Sequence, residues 1–153
     1  MPFEIRTLRS GDEQVLARIA PDVLDHAIDE QATRAFLADP GHHLAVAMED
    51  GIVVGFASAI HYNHPDKPVP ELWVNEVGVA STHRGRGVGK ALLRSLFHDA
   101  RALGCSEAWV LTKRTNDAAM RLYTSVGGTE PVGSQVMFMF HLDAHCSNGG
   151  QDE

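Results

Sequence analysis

Apolar and polar residues alternate over FEIRTLR (3–9), which predicts a strand. Ser10 follows as a helix N-cap, with Glu13 three residues on completing a capping box, and the helix is expected to run to about Ile19 before Pro21 breaks it. Residues 22–39 (DVLDHAIDEQATRAFLAD) carry helical spacing at Leu24, Ile28, Ala32, Ala35 and Phe36, and Pro40-Gly41 ends that run. HHLAVAMEDGIVVGFASAIHY (42–62) reads as a hairpin turning at Asp50-Gly51. Three prolines make 64–70 a loop, and ELWVNEVGVA (71–80) is a mostly apolar, central strand. A helix is expected from about Gly87 to Leu103, ended by Gly104. A short buried strand follows at 107–112, then a helix at 116–126 closed by Gly127-Gly128. SQVMFMFHL (134–142) alternates as a last strand, and the polar 143–153 tail is expected to be frayed. The order β, α, α, β-hairpin, β, α, β, α, β describes one mixed α/β (α+β) domain over 1–142, with no internal repeat or linker.

The segment between the central strand and the long helix, STHRGRGVGKALL (81–93), concentrates three glycines and two arginines before an apolar helical run. It is not a P-loop, because Gly89-Lys90 is followed by Ala91 and the position five before Gly89 is Arg84. It is not a dinucleotide fingerprint either, since the third glycine would fall on Lys90 or Leu92. What remains is strand, Arg-Gly-x-Gly-x-Gly, helix. Glycines let a ligand approach the main chain, and the first turn of the helix offers free N–H groups and a positive dipole end. Arg84, Arg86 and Lys90 add charge. The segment reads as a pyrophosphate cradle.

Charge is distributed unevenly. The net charge is −7, yet residues 83–121 hold eight Lys/Arg against three acids, a net of +5, and the remainder carries −12. One region suits an anion and the rest suits cations, and the acidic balance argues against nucleic acid. No run approaches the roughly 20 apolar residues of a membrane span, and MPFEIRTLRSGDE does not read as a signal peptide. Cys105 and Cys146 make no disulfide framework; read as free thiols, they point to the cytoplasm. His61 and His64 lie three apart near a proline-rich loop without a third ligand, so no metal site is expected.

VGVASTHRGRGVGKALL resembles the acetyl-coenzyme A signature of the GNAT superfamily of N-acetyltransferases, Arg/Gln-x-x-Gly-x-Gly/Ala, which Arg84, Gly87 and Gly89 match. NDAAMRLYTSVGG resembles the second signature of that family at Asn116, Ala119, Leu122, Tyr123 and Gly127. The family's usual proline after the signature strand is missing from ASTH. The resemblance covers residues 1–142. It implies a twisted mixed sheet of six or seven strands with about four helices, and two parallel strands that splay to admit the pantetheine arm of acetyl-CoA. Val77, Gly78 and Val79 would then face the pantetheine. Arg84, Gly85, Arg86, Gly87, Val88, Gly89 and Lys90 would hold the pyrophosphate, and Asn116 would reach the cofactor arm or simply cap its helix.

Acetyl transfer to an amine needs a base for the ammonium, a donor for the thioester oxygen and a proton for the leaving thiolate. Glu76 is the one ionisable residue in LWVNEVGV, where burial would raise its pKa, and it is the candidate base. Tyr123 matches the family's general acid, and a backbone N–H near Val79 is the candidate oxyanion donor. The family implies an amine acceptor without specifying which. The −12 remainder suits a cationic small molecule, and the layout most resembles aminoglycoside 3-N-acetyltransferases. Glu71, Trp73, Glu76 and Asp117 are the candidate acceptor contacts. Acetylation of a peptide α-amine, a lysine or a polyamine is the alternative, and a non-catalytic acetyl-CoA sensor is the alternative of another class. Many family members pair as homodimers, but nothing in the sequence fixes the oligomeric state.

Overall fold

The structure, a computed structural model, describes residues 2–131, 133 and 135–142. Its sheet has five strands in the order β1 (Glu4–Leu8), β2 (His42–Glu49), β3 (Ile52–Tyr62), β4 (Glu71–Val79) and β5 (Glu107–Val110). The first three pairings are antiparallel and β4 with β5 is parallel. Three α-helices accompany them: α1 (Glu30–Ala38), α2 (Val88–Ala102) and α3 (Asp117–Ser125), with short 3-10 helices at Glu13–Ala17 and Ser81–His83. The mixed α+β class stands, with five strands and three α-helices among the described residues in place of six or seven and four.

The hairpin forms as its turn demands. Asp50 and Gly51 both have positive φ (52° and 74°), the combination that lets a two-residue turn follow the strand twist. The helix α2 buries Val88, Leu92, Leu93, Leu96 and Ala100 against the sheet. It lies so close to β3 that a Cβ on Gly55 would sit 2.8 Å from Val88 Cγ1 and 3.2 Å from Leu92 Cδ1. That contact seats the N-terminus of α2 beside the C-terminal end of β4.

Three expected elements differ in kind, and a fourth, the short strand expected to be buried over 107–112, spans Glu107–Val110 and is largely exposed. The first helix is a five-residue 3-10 segment; Ser10 does not cap it, and the Asp12 carboxylate instead accepts from Arg9 N. The second begins at Glu30, not at 22. Asp29 caps it, accepting from Ala32 N at 2.8 Å, while Asp22 adopts a left-handed φ of 65° that no helix tolerates. Residues 22–28 therefore form an irregular cover over the sheet, with Val23 and Leu24 turned inward. Third, 135–142 is not a strand. Alternation supplies two faces, but a strand also needs a neighbouring edge, and this segment has none. Its apolar side chains stand exposed, from 71% at Met137 to 94% at Leu142. The expected tail, 143–153, lies outside the described residues.

Candidate active site

The glycine segment leaves β4 through Ala80, whose N–H donates to Val54 O at 2.9 Å. Gly85 and Gly87 both have positive φ (75° and 81°), and a Cβ on either would meet nothing within 4 Å. The bend thus needs glycine for its backbone shape and presents an open main-chain surface. Gly87 is the N-cap of α2 with no side-chain cap, and the first helical bond is Ala91 N to Gly87 O at 3.0 Å. The N–H groups of Val88, Gly89 and Lys90 consequently have no carbonyl behind them. Val88 offers only main chain, since its side chain is buried. Gly89 plays another part: a Cβ there would lie 3.0 Å from Leu122 Cδ2 on α3. Arg84 Nε donates to Val79 O at 3.3 Å, tying the bend to the strand. Arg86 donates to Glu49 at 3.3 Å, and His83 hydrogen-bonds the same carboxylate. These two partners, His83 foremost, hold Glu49 below the usual carboxylate range. Part of the positive charge expected at the bend is therefore offset by an acid on β2. The main-chain cradle, the helix end and Arg84 fit the pyrophosphate of acetyl-CoA.

Beside the cradle the two parallel strands part. The β4–β5 ladder runs from Glu71↔Glu107 to Val74↔Val110 and stops. On the other edge of β4, Ala59 faces Val74 while Ser58 faces Glu76, so Asn75 is an extra residue. This β-bulge turns the strand at the point where pairing with β5 ends. Val77, Gly78 and Val79 continue beyond it, paired with β3 only. Gly78 lies under the 22–24 cover: a Cβ would fall 2.2 Å from Val23 O and 2.7 Å from the Phe56 ring.

The bulge also sends two consecutive side chains to one cavity. Asn75 and Glu76 both line a space of about 430 Å³ between the sheet and the 16–36 cover, with Ser58 beside them. Glu76 is exposed there, so the burial expected around it is absent; the outward turn of the bulge is the cause. Tyr123 lines a different cavity, of about 260 Å³, between α2, α3 and β5, where Val74, the neighbour of Asn75 on β4, forms part of the wall. Half-buried, its phenol is pushed above its ordinary pKa by desolvation. Glu76 and Tyr123 thus stand on two sides of the same stretch of β4.

Other expected site residues are elsewhere. Asn116 Oδ1 accepts from Ala119 N at 3.1 Å and caps α3. Asp117 is exposed in the first turn of α3 and lines neither cavity. Glu71 lies at the far end of β4, accepting hydrogen bonds from Tyr62 (2.9 Å) and Lys67 (2.7 Å) with His64 Nε2 3.2 Å away, so it is committed to a structural network. Trp73 stacks on Trp109 at 5.0 Å and 6°, because the parallel register places them opposite each other. Neither Glu71 nor Trp73 reaches the cavity at Glu76. Asn75 and Phe56 are site-lining residues that sequence reasoning passed over; a polar pair, Asn75-Glu76, inside an otherwise apolar strand is the signal of the bulge.

Residues 7–127 match the acetyltransferase (GNAT) family. The chain is 32% identical over 128 residues to the N-alpha-acetyltransferase RimI of Mycobacterium tuberculosis, covering 82% of this chain and 78% of that one. It is 33% identical over 95 residues to N-acetyltransferase 8 of Rattus norvegicus, covering 62% of this chain and spanning 43% of that relative's length. Among solved structures, the aminoglycoside acetyltransferase meta-AAC0020 from an uncultured soil metagenomic sample, in complex with sisomicin, shares the fold at a TM-score of 0.80 and 18% identity, over 92% of this chain and 97% of that one. The aminoglycoside N-acetyltransferase AAC(6')-Iy in complex with CoA does so at 0.72 and 21%, over 93% and 96%. The fold neighbours are thus not specifically 3-N-acetyltransferases. With the cradle, the splayed strands and these matches together, the chain belongs to the acetyltransferase (GNAT) family, whose members take acetyl-CoA as donor.

Proposed function

We propose that the protein is an N-acetyltransferase that moves an acetyl group from acetyl-CoA to the primary amine of a cationic small molecule. The observation that carries this reading is the bulge at Asn75, which lies where the β4–β5 ladder ends and puts Glu76 on a cavity, on the same strand that runs into the glycine cradle. When bound, acetyl-CoA supplies an acetyl group activated as a thioester.

The chain's own groups divide the remaining work. Main-chain N–H groups at 87–90, with Arg84 and Lys90, bind the diphosphate. Val77–Val79 supply the strand edge along the donor's arm, and the N–H near Val79 is the oxyanion donor. Glu76, an exposed carboxylate, takes the ammonium proton directly or through a water, with Asn75 orienting the amine. Tyr123, a phenol with an ordinary pKa of about 10 that burial raises further, keeps its proton at neutral pH and can donate to the departing thiolate.

The acceptor has two finer readings. A polycation such as an aminoglycoside is supported by the −12 net charge outside the cradle segment and by exposed Asp25 and Glu30 on the cover. A peptide α-amine is supported by the 32% identity to the N-alpha-acetyltransferase RimI. Thiol release from acetyl-CoA against panels of aminoglycosides, polyamines and peptides separates them. Turnover with none, despite donor binding, would refute the enzymatic reading.

A further inference from the structure

Pockets that accept polycations are walled by several carboxylates and hydroxyls, whereas the cavity at Glu76 has one carboxylate, Glu76, and the hydroxyls of Ser58 and Thr33 in a mostly apolar lining. Leu44, Val53 and Phe56 form its floor on β2 and β3, and Leu24, Ile28 and Phe36 form its roof. Three of its polar groups gather at one side, where Ser58 and Glu76 face each other across the β3–β4 ladder with Asn75 adjacent. The acids of the cover do not change this. Asp29 is spent on capping α1 and Asp22 accepts from Ser81 Oγ at 3.2 Å, while Asp25 and Glu30 are exposed to solvent. A polyamine or aminosugar placed here would leave its other ammonium and hydroxyl groups against aliphatic side chains, which costs free energy for each group left unpaired. The volume of about 430 Å³ suits a body of one ring and a short chain.

Two polar side chains lie away from Glu76, the Thr33 hydroxyl on α1 and His42. His42 lines the same cavity, its ring tilted 58° against Phe36 with centroids 4.7 Å apart, and its buried Nδ1 has no hydrogen-bond partner among the described residues. It is two strands and two residues removed from Glu76 (Leu44 faces Ser58, which faces Glu76). Strand spacing and rise put their Cα atoms on the order of 12 Å apart.

We propose that the acceptor is a primary amine carried on a compact, uncharged, largely apolar body, of the arylalkylamine or branched alkylamine class. The body lies between Phe56 and the Leu24–Ile28–Phe36 roof, the amine meets Asn75 and Glu76, and a single polar substituent at the far end meets His42. This rests on the acetyl-transfer reading and puts a single ammonium on an apolar body in place of the polycation and the peptide as its acceptor.

The test pairs calorimetry of acetyl-CoA binding with kcat/KM from thiol release over a matched series: propylamine, butylamine, 3-phenylpropylamine, spermidine, kanamycin and a short peptide with an apolar first residue. The expected result is about a fourfold rise in kcat/KM per added methylene until the cavity is filled, with 3-phenylpropylamine at least tenfold above spermidine, kanamycin and the peptide. Ile28→Asp, a change at an exposed position on the roof, should lower kcat/KM for 3-phenylpropylamine at least tenfold while leaving acetyl-CoA affinity within twofold. A flat series, or preference for spermidine, kanamycin or the peptide, would overturn the inference while leaving acetyl transfer intact. Donor binding without turnover of any of these amines would overturn it too. Absence of donor binding would instead remove the acetyl-transfer reading beneath it.

Discussion

Gly89 in the first turn of α2 and Leu122 in α3 touch: a Cβ on Gly89 would lie 3.0 Å from Leu122 Cδ2 and 3.3 Å from Cδ1. The last glycine of the first signature thus packs on the leucine of the second, and each holds the other's helix in place. Gly89→Ala gains helix propensity of about 1 kcal/mol but must push back a flexible leucine tip, so a near-neutral change in thermal midpoint is expected. Gly89→Leu forces the two helices apart and should cost about 1–3 kcal/mol, read as a lowered midpoint in calorimetric unfolding. Equal stability of both variants would show that the contact is not tight.

Gly87 obeys a different constraint. A Cβ there has open space but sits on a φ of 81°, so Gly87→Ala should destabilise by about 1–2 kcal/mol through backbone strain alone. Because the strain is relieved by reshaping the bend, acetyl-CoA affinity should fall at least tenfold, far more than a surface substitution of equal stability cost would produce. Unchanged affinity would remove the bend from the donor site.

Tyr123 should matter to rate and little to binding. Tyr123→Phe is expected to lower kcat at least tenfold with donor affinity within twofold. Burial raises the phenol's pKa, so the proton is retained through the neutral range, and any loss of rate from its ionisation should appear only above about pH 10. A kcat of the wild-type value in the phenylalanine variant would exclude it as the acid.

Glu71 supplies a pH test of the fold. Lys67, Tyr62 and His64 hold its carboxyl at about 2, below the ordinary 4.5. A depressed carboxyl contributes stability that is fully present above about pH 4.5 and is lost as pH falls toward 2. The thermal midpoint should therefore decline across that window, and Glu71→Gln should flatten that part of the profile. Acceptor kinetics should be unaffected, since Glu71 lines neither cavity.

These cases show what the sequence carries and what it does not. Asp50-Gly51 and the glycine bend are legible because a positive φ restricts the residues that can stand there. The long apolar stripe of α2 is legible because its burial follows a single helical period. The start of α1 was not: Asp22, Asp25 and Asp29 are all fair caps by residue type, and the choice of Asp29 goes with the packing of Val23 on Gly78, a contact far apart in sequence. The bulge at Asn75 and the stack of Trp73 on Trp109 depend on register, which is a property of strand pairs and not of one strand. The cavity at Glu76 is likewise built by elements far apart in sequence, so no local pattern announces its mostly apolar walls.

The central claim is that the main chain around 85–89 holds the diphosphate of acetyl-CoA. Isothermal titration of the purified protein with acetyl-CoA, and with CoA, tests it most directly. The account predicts saturable one-to-one binding of both, weakened at least tenfold by Gly87→Ala; heats no larger than dilution for either ligand would contradict it.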